Sequence, residues 1–158
     1  MITAVIFILS TIIIDQVTKW IIVKFMTYSP ITGGEKIEVI RDFFYITSHR
    51  NTGAAWGMLS GEMWFFIIIT IISLGLFAYL MKDYDLKAQP IYSIGLLLLI
   101  GGTIGNFIDR IVRHEVVDFL DFYIFGYNFP IFNVADMCLT VGVTFVAISL
   151  LFGKSGYL

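Results

Sequence analysis

The sequence predicts a mainly α membrane protein with four transmembrane helices, and three observations carry that prediction. Hydrophobic residues make up 58% of the chain and charged ones 14%, with a mean hydropathy of +0.89; a soluble domain carries about 25% charged residues. Four apolar segments, at about 2–26, 63–81, 91–108 and 132–152, approach the roughly 20 residues that span a bilayer. The connections between them are unlike: two long ones, at about 27–61 and 110–131, and one short charged turn at 82–88. A length of 158 residues suits a single integral membrane domain over 1–158.

The first segment holds Asp15, Lys19 and Lys24 within an apolar run. It has neither a basic n-region nor a small-x-small cleavage site, so it reads as a span and not as a cleavable signal peptide. Asp15 and Lys19 stand one helical turn apart, acid first, the favourable order for an i,i+4 pair. A structural ion pair near the membrane surface explains them as well as a functional one does. KIEVI (36–40) and FFYITSH (43–49) alternate with period 2 and predict short strands. In the following NTGAAWG (51–57), small residues such as Gly53 let another backbone come close. That backbone is a bound peptide's or, more simply, the turn's own.

The second segment carries no charge. In the third, Gly101 and Gly105 form a small-xxx-small pair suited to close helix packing. Asn106, Asp109 and Arg110 end that helix and can share a face. Asp109 and Arg110 either neutralise one another or bond separately to neighbouring segments, a structural role in both cases. At the start of the fourth helix, Asn133 and Asp136 lie three residues apart. Asn133 can donate to a carboxylate and fix its orientation; a capping role is the plainer reading of both residues, and for Asp136 the weaker one against a functional role.

The stretch from Val116 to Asp136 concentrates the chemistry. Asp118 and Asp136 stand in strongly apolar sequence, where a carboxylate is costly to ionise unless something specific holds it, so they mark a functional site. On one continuous helix they would lie about 27 Å apart. Gly126, Asn128 and Pro130 predict instead a turn back that brings them together. Two carboxylates in one desolvated site exchange a single proton, one acting as base while the other stays acidic. Asp121, a like charge three residues beyond Asp118, is more simply placed facing solvent.

Composition narrows the function classes. A net charge of −2 and a pI near 5.5 give no basic surface for nucleic acid. Cys138 is the one cysteine, and His49 and His114 are the two histidines, so neither a metal centre nor any other cofactor is expected. The His114–Asp118 segment lacks the second His of a zinc HExxH helix, and no His is placed to pair with Ser60. Two non-proteolytic classes stand as alternatives: an ion or proton transporter using intramembrane acids as a relay, and a non-catalytic assembly or lipid-binding protein. Against the relay, the acids gather near one membrane face. Basic residues place the long connections in the cytoplasm, since Lys36, Arg41, Arg50 and Arg113 lie there against Lys82, Lys87 and Lys154 on the other side.

Read in order, Asp15-Gln-Val-Thr-Lys19, Asn51-Thr-Gly-Ala-Ala55, Gly105-Asn-Phe-Ile-Asp-Arg110, Val116-Val-Asp-Phe119 and Phe132-Asn-Val-Ala-Asp136 resemble the motifs of lipoprotein signal peptidase, or signal peptidase II. Each is weak alone; five in register are specific. The resemblance implies a bacterial membrane aspartyl protease that needs no cofactor. It would cleave the signal peptide from a prolipoprotein just before a cysteine already carrying diacylglycerol. Asp118 and Asp136 would be the catalytic pair. Asp15, Lys19, Asn51, Gly53, Asn106, Asp109, Arg110 and Asn133 would support it or bind substrate. The resemblance also implies cytoplasmic termini, against the count of basic residues. The segment 27–61 would be an extracytoplasmic β-cradle, and 113–125 a lid-like segment over a site facing membrane lipids.

Overall fold

Helix α3 (Pro90–Arg113) is the hub of the molecule. In the computed structural model, which describes residues 1–29, 31–53 and 58–152, it packs on α1 (Ile2–Phe25), α2 (Met63–Leu80) and α4 (Val134–Phe152). All four helices are long and apolar enough to cross a membrane, as the sequence predicts. Over its most apolar window α3 is 56% buried, against 6% for α2, so α2 presents nearly its whole surface outward. Small residues explain the hub. A Cβ added at Gly101 would lie 2.8 Å from the Thr11 side chain of α1, and one at Gly105 would lie 2.6 Å from Asp15 Oδ2. The expected small-xxx-small pair is therefore the α1–α3 seam. Residues 54–57 of the NTGAAWG stretch and the tail 153–158 lie outside the described residues.

The third helix runs five residues beyond the Ile108 boundary that hydropathy suggests, to Arg113. Its charged last turn remains helical because Asp109 is paired from within the bundle, as described below. His114 then ends the helix with φ 60, a left-handed C-cap that redirects the chain.

Two antiparallel ladders cover the end of the bundle where α1 and α3 finish and α2 and α4 begin. β1 (Tyr28–Ser29) pairs with β2 (Gly33–Gly34). β3 (Lys36–Ile40), β4 (Phe44–Asn51), β5 (Val116–Ile124) and β6 (Tyr127–Asn128) form a sheet in that order. KIEVI is a strand as expected; its partner begins at Phe44 and continues to Asn51. The cradle is tightly closed at Gly34, where a Cβ would lie 1.6 Å from the Ser48 carbonyl oxygen.

Most of the segment 113–125, expected as lid-like, is the strand β5, paired with β4 from Phe44↔Phe122 to Asn51↔Val116 and, at Tyr123 and Ile124, with β6 on its other edge. Its β-branched and aromatic residues suit a strand. A bulge sets Thr47 and Ser48 against Phe119, between the pairs Ile46↔Leu120 and His49↔Asp118.

The predicted reversal lies at Phe125-Gly126, both with positive φ (51 and 81), the conformation of a tight hairpin turn. Beyond β6 the chain comes back on β5. The Phe132 amide donates to the Leu120 carbonyl at 3.1 Å, and the Leu120 amide donates to the Phe132 carbonyl at 2.9 Å. The rings of Phe44, Phe122 and Phe132 stack in succession, with centroids 4.5 and 5.7 Å apart.

Candidate active site

That return places Asn133 beside Asp118 and starts α4. Asn133 is the residue before the helix, and its Oδ1 accepts the Asp136 amide at 3.0 Å. Asp136 Oδ2 reciprocally accepts the Asn133 amide at 3.2 Å. This is a capping box built from Asn and Asp, and it satisfies donors that a helix start leaves free. The capping reading of both residues is therefore correct. It occupies one atom of each residue's polar group and leaves the others for the site.

Those remaining atoms join the two aspartates. Asn133 Nδ2 donates to Asp118 Oδ1 at 2.7 Å and to Asn106 Oδ1 at 3.1 Å. Asn106 Nδ2 donates to Asp136 Oδ1 at 2.7 Å. The second oxygen of Asp118 accepts Asn51 Nδ2 at 2.9 Å. Asp118 and Asp136 thus accept hydrogen bonds from three carboxamides and one backbone N–H. Neither forms an ion pair among the described residues. Both line a cavity of about 550 Å³ walled by α2, α3, α4 and the chain around Pro130. The Asp118 carboxyl is pushed up to about 7, first by burial and then by the charge of Asp136.

A second cluster adjoins the first through Asn106. The Lys19 ammonium is fully buried and has three acceptors, Asp15 Oδ2, Asp109 Oδ2 and Asn106 Oδ1, each at 2.9 Å. Asp15 Oδ1 accepts the Ala135 amide at 2.9 Å, tying α1 to the first turn of α4. Asp109 also pairs with Arg113 and accepts the Val117 amide at 3.2 Å. The expected i,i+4 pair of Asp15 and Lys19 is thus one edge of a larger buried network.

Of the two roles open to Asp109 and Arg110, the structure selects separate bonding. Arg113, one turn on, is the guanidinium that pairs with Asp109. Arg110 lies over the Phe66 ring at 4.8 Å, donates to the Asn106 carbonyl at 3.4 Å and lines the cavity. Gly53 lines it too, and its amide donates to Asn51 Oδ1 at 2.9 Å. The backbone that approaches Gly53 is its own turn's, since an added Cβ would lie 2.4 Å from the Met58 carbonyl oxygen.

Two readings need correction or addition. Asp121 does not face solvent: its side chain is 4% exposed and pairs with Lys36 at 2.7 Å. The Lys36 ammonium also lies 4.1 Å from the Tyr45 ring centroid and 4.3 Å from that of Tyr123. Burial is affordable there because a cation crosses from β3 to meet the acid. Sequence reasoning also missed Gln16. Its Nε2 faces Asp15 Oδ2, the Gly105 carbonyl and Asp109 Oδ1 at 3.1–3.2 Å. A polar amide inside an apolar helix, next to a buried acid, was the available signal.

A family model described as signal peptidase (SPase) II matches residues 7–152. Two solved structures, each described as a bacterial membrane enzyme determined by the in meso method, are similar over nearly the whole chain. One is 47% identical with a TM-score of 0.85, covering 99% of this chain and 92% of its own. The other is 49% identical with a TM-score of 0.81, covering 95% and 93%.

Proposed function

The chain belongs to the signal peptidase II family of aspartic proteases, which removes signal peptides from lipoprotein precursors, and we propose that Asp118 and Asp136 carry its chemistry. One observation supports this pair above all. Among the described residues they are the two acids that share the cavity and are held by neutral donors alone, which leaves them able to pass a proton. Asp15, Asp109 and Asp121 each sit in an ion pair within the fold, so the carboxylate of each already has a cationic partner.

In the reaction, Asp136 takes a proton from a water molecule, and that water attacks the scissile carbonyl. Asp118 holds its proton near neutral pH and donates a hydrogen bond to the carbonyl oxygen as negative charge develops there. Collapse of the tetrahedral intermediate breaks the C–N bond, and the proton taken from water passes to the leaving amine. No covalent enzyme intermediate forms. Arg110, with guanidinium donors left over at the cavity wall, holds polar atoms of the bound substrate.

The substrate is a prolipoprotein cleaved just before a cysteine bearing diacylglycerol. The cavity supports this reading, because it continues from the aspartates along apolar residues of α2 and α4 such as Phe77 and Val143. A lipidated chain can reach it from the membrane beside the outward-facing α2. The termini are cytoplasmic, and the sheet and site lie at the outer face of the bacterial cell membrane. The basic residues on the sheet side do not argue otherwise. Lys36, Arg50 and Arg113 are held in ion pairs with Asp121, Glu115 and Asp109, so each has a role within the fold.

The test is cleavage of a lipobox peptide by purified protein, with and without the diacylglyceryl group. Cleavage before the modified cysteine is expected, with little or none of the unmodified peptide; equal rates on both would overturn the substrate reading. Orientation is checked separately with an impermeant thiol reagent on intact cells. Thr32→Cys should label and Lys87→Cys should not, both in a Cys138→Ser background.

A further inference from the structure

We propose that Lys19 is a positioning residue for the reaction, one that touches neither aspartate yet sets the direction in which two carboxamides point at them. The proposal rests on the reading of Asp118 and Asp136 as the reacting pair. An ammonium has three N–H donors and no acceptor. Neutralising Asp15 and Asp109 occupies two of them; the third goes to Asn106 Oδ1 at 2.9 Å. That bond has a consequence which an ion pair alone would not have.

A carboxamide has an oxygen end and a nitrogen end of nearly equal size. Because Lys19 can only donate, the end of Asn106 facing it must be oxygen. Asn106 Nδ2 is thereby turned to Asp136 Oδ1, at 2.7 Å. The same oxygen accepts a second bond, so the end of Asn133 that meets it must be nitrogen, at 3.1 Å. Asn133 Nδ2 then also reaches Asp118 Oδ1 at 2.7 Å, and Asn133 Oδ1 is left for the Asp136 amide at 3.0 Å. One buried cation therefore orients two amides in series, and each delivers an N–H to a different aspartate. Reversing Asn106 would set its oxygen against a carboxylate and its NH₂ against an ammonium. The α4 cap resists the opposite rotation of Asn133, so the chain is fixed at both ends.

The groups around the lysine fit this role. Asp15 from α1 and Asp109 from α3 balance Lys19 and Arg113, so the charged cluster is neutral. Asn106 is fixed from behind by Lys19 and faces the cavity with its other end. Lys19 acts across one amide, as a preset dipole that does not reorganise when charge moves between the aspartates.

The experiment compares Asn106→Asp, Lys19→Met and Asp118→Asn by kcat, KM and the pH dependence of kcat, with thermal stability measured on the same detergent-purified protein. Asn106→Asp keeps an acceptor for Lys19, and the melting temperature measured on the same protein reads whether the bundle stays folded with the added acid. The substitution removes the N–H aimed at Asp136 and puts a carboxylate oxygen in its place. The expected result is a fall in kcat of about 10²-fold with KM changed by no more than about twofold. The acidic limb of the rate–pH profile should move to higher pH by about one unit. Folded Lys19→Met should show the same displacement; if that variant does not fold, Asn106→Asp decides alone. Wild-type kcat and an unmoved acidic limb in Asn106→Asp would overturn the proposal, as would an unmoved limb in folded Lys19→Met. Retained turnover in Asp118→Asn would instead overturn the assignment of the pair, which keeps the two failures distinct.

Discussion

Asp15 and Asp109 meet an ammonium and a guanidinium, while Asp118 and Asp136, linked to them through Asn106 and Asn133, meet carboxamides and a backbone N–H. Both pairs are drawn from the same residue type and belong to one hydrogen-bonded network. A buried acid against a cation gains its stabilisation from that charge, which makes removal of either partner costly. A buried acid against neutral donors is held in place without being fixed in one protonation state. On the proposed assignment, what surrounds the acid separates the structural pair from the reacting one, and α3 takes part in both environments through Asp109 and Asn106.

The comparison breaks first if the neutral-donor pair can be replaced. Asp118→Asn and Asp136→Asn should each lower cleavage by about 10³-fold or more, the double variant being no worse than either single because the two act as one unit. Expression and detergent melting temperature should stay near wild type. Appreciable turnover by either purified single variant would mean that another acid does the work.

The cation-held pair should fail in the opposite way. Asp109→Asn leaves Lys19 and Arg113 short of an acceptor, and a buried partner lost from an ion pair costs roughly 3 kcal/mol. The melting temperature should therefore fall together with activity. An inactive Asp109→Asn enzyme of wild-type stability would show that the two clusters are not separate in kind.

A pH profile sharpens the contrast. Asp118, raised by burial foremost and by the charge of Asp136 next, keeps its proton up to about pH 7. The donor form is lost as pH rises through that value, so kcat should decline on the alkaline side of pH 7, approaching about tenfold per unit. A rate level to pH 9 would place the proton donor elsewhere.

The smallest effect belongs to Asp121, the acid whose cation lies on the sheet. Lys36 is 34% exposed at its side chain, so solvent screens the pair and Asp121→Asn should cost only about 1 kcal/mol. Most of the turnover should remain. A loss as deep as that of Asp118→Asn would make the sheet part of the chemistry and not only its support.

Much of this arrangement is legible along the chain. Four apolar runs give the helices, KIEVI gives its strand, and Gly126 gives the turn that carries the chain back to Asp118. Two acids in apolar surroundings, with no cation beside either in sequence, point to the proposed pair. What is illegible depends on partners distant in sequence. Asp121 reads as a solvent residue because Lys36, which makes its burial tolerable, lies 85 positions earlier. The last turn of α3 reads as a loop because its charges look uncompensated until Lys19 of α1 is seen to face Asp109. Asp109 seems matched to its neighbour Arg110, yet helix geometry brings Arg113 onto its face instead. The strand character of 116–124 is obscured by the acids within it, and only the β4 edge beside it decides the conformation.

The position of α4 in this network governs how the protein comes into being. Asn133 and Asp136 belong to the last helix, and the Ala135 amide that Asp15 accepts lies between them. A chain entering the membrane from its N-terminus holds Asp15, Lys19 and Asn106 long before those partners exist. Until α4 inserts, Asp136 is absent and Asp118 lacks the amide that orients one of its oxygens. On the proposed assignment, the nascent protein therefore holds half of its carboxylate pair, and no means of splitting a neighbouring peptide bond, until α4 is in place beside α1 and α3.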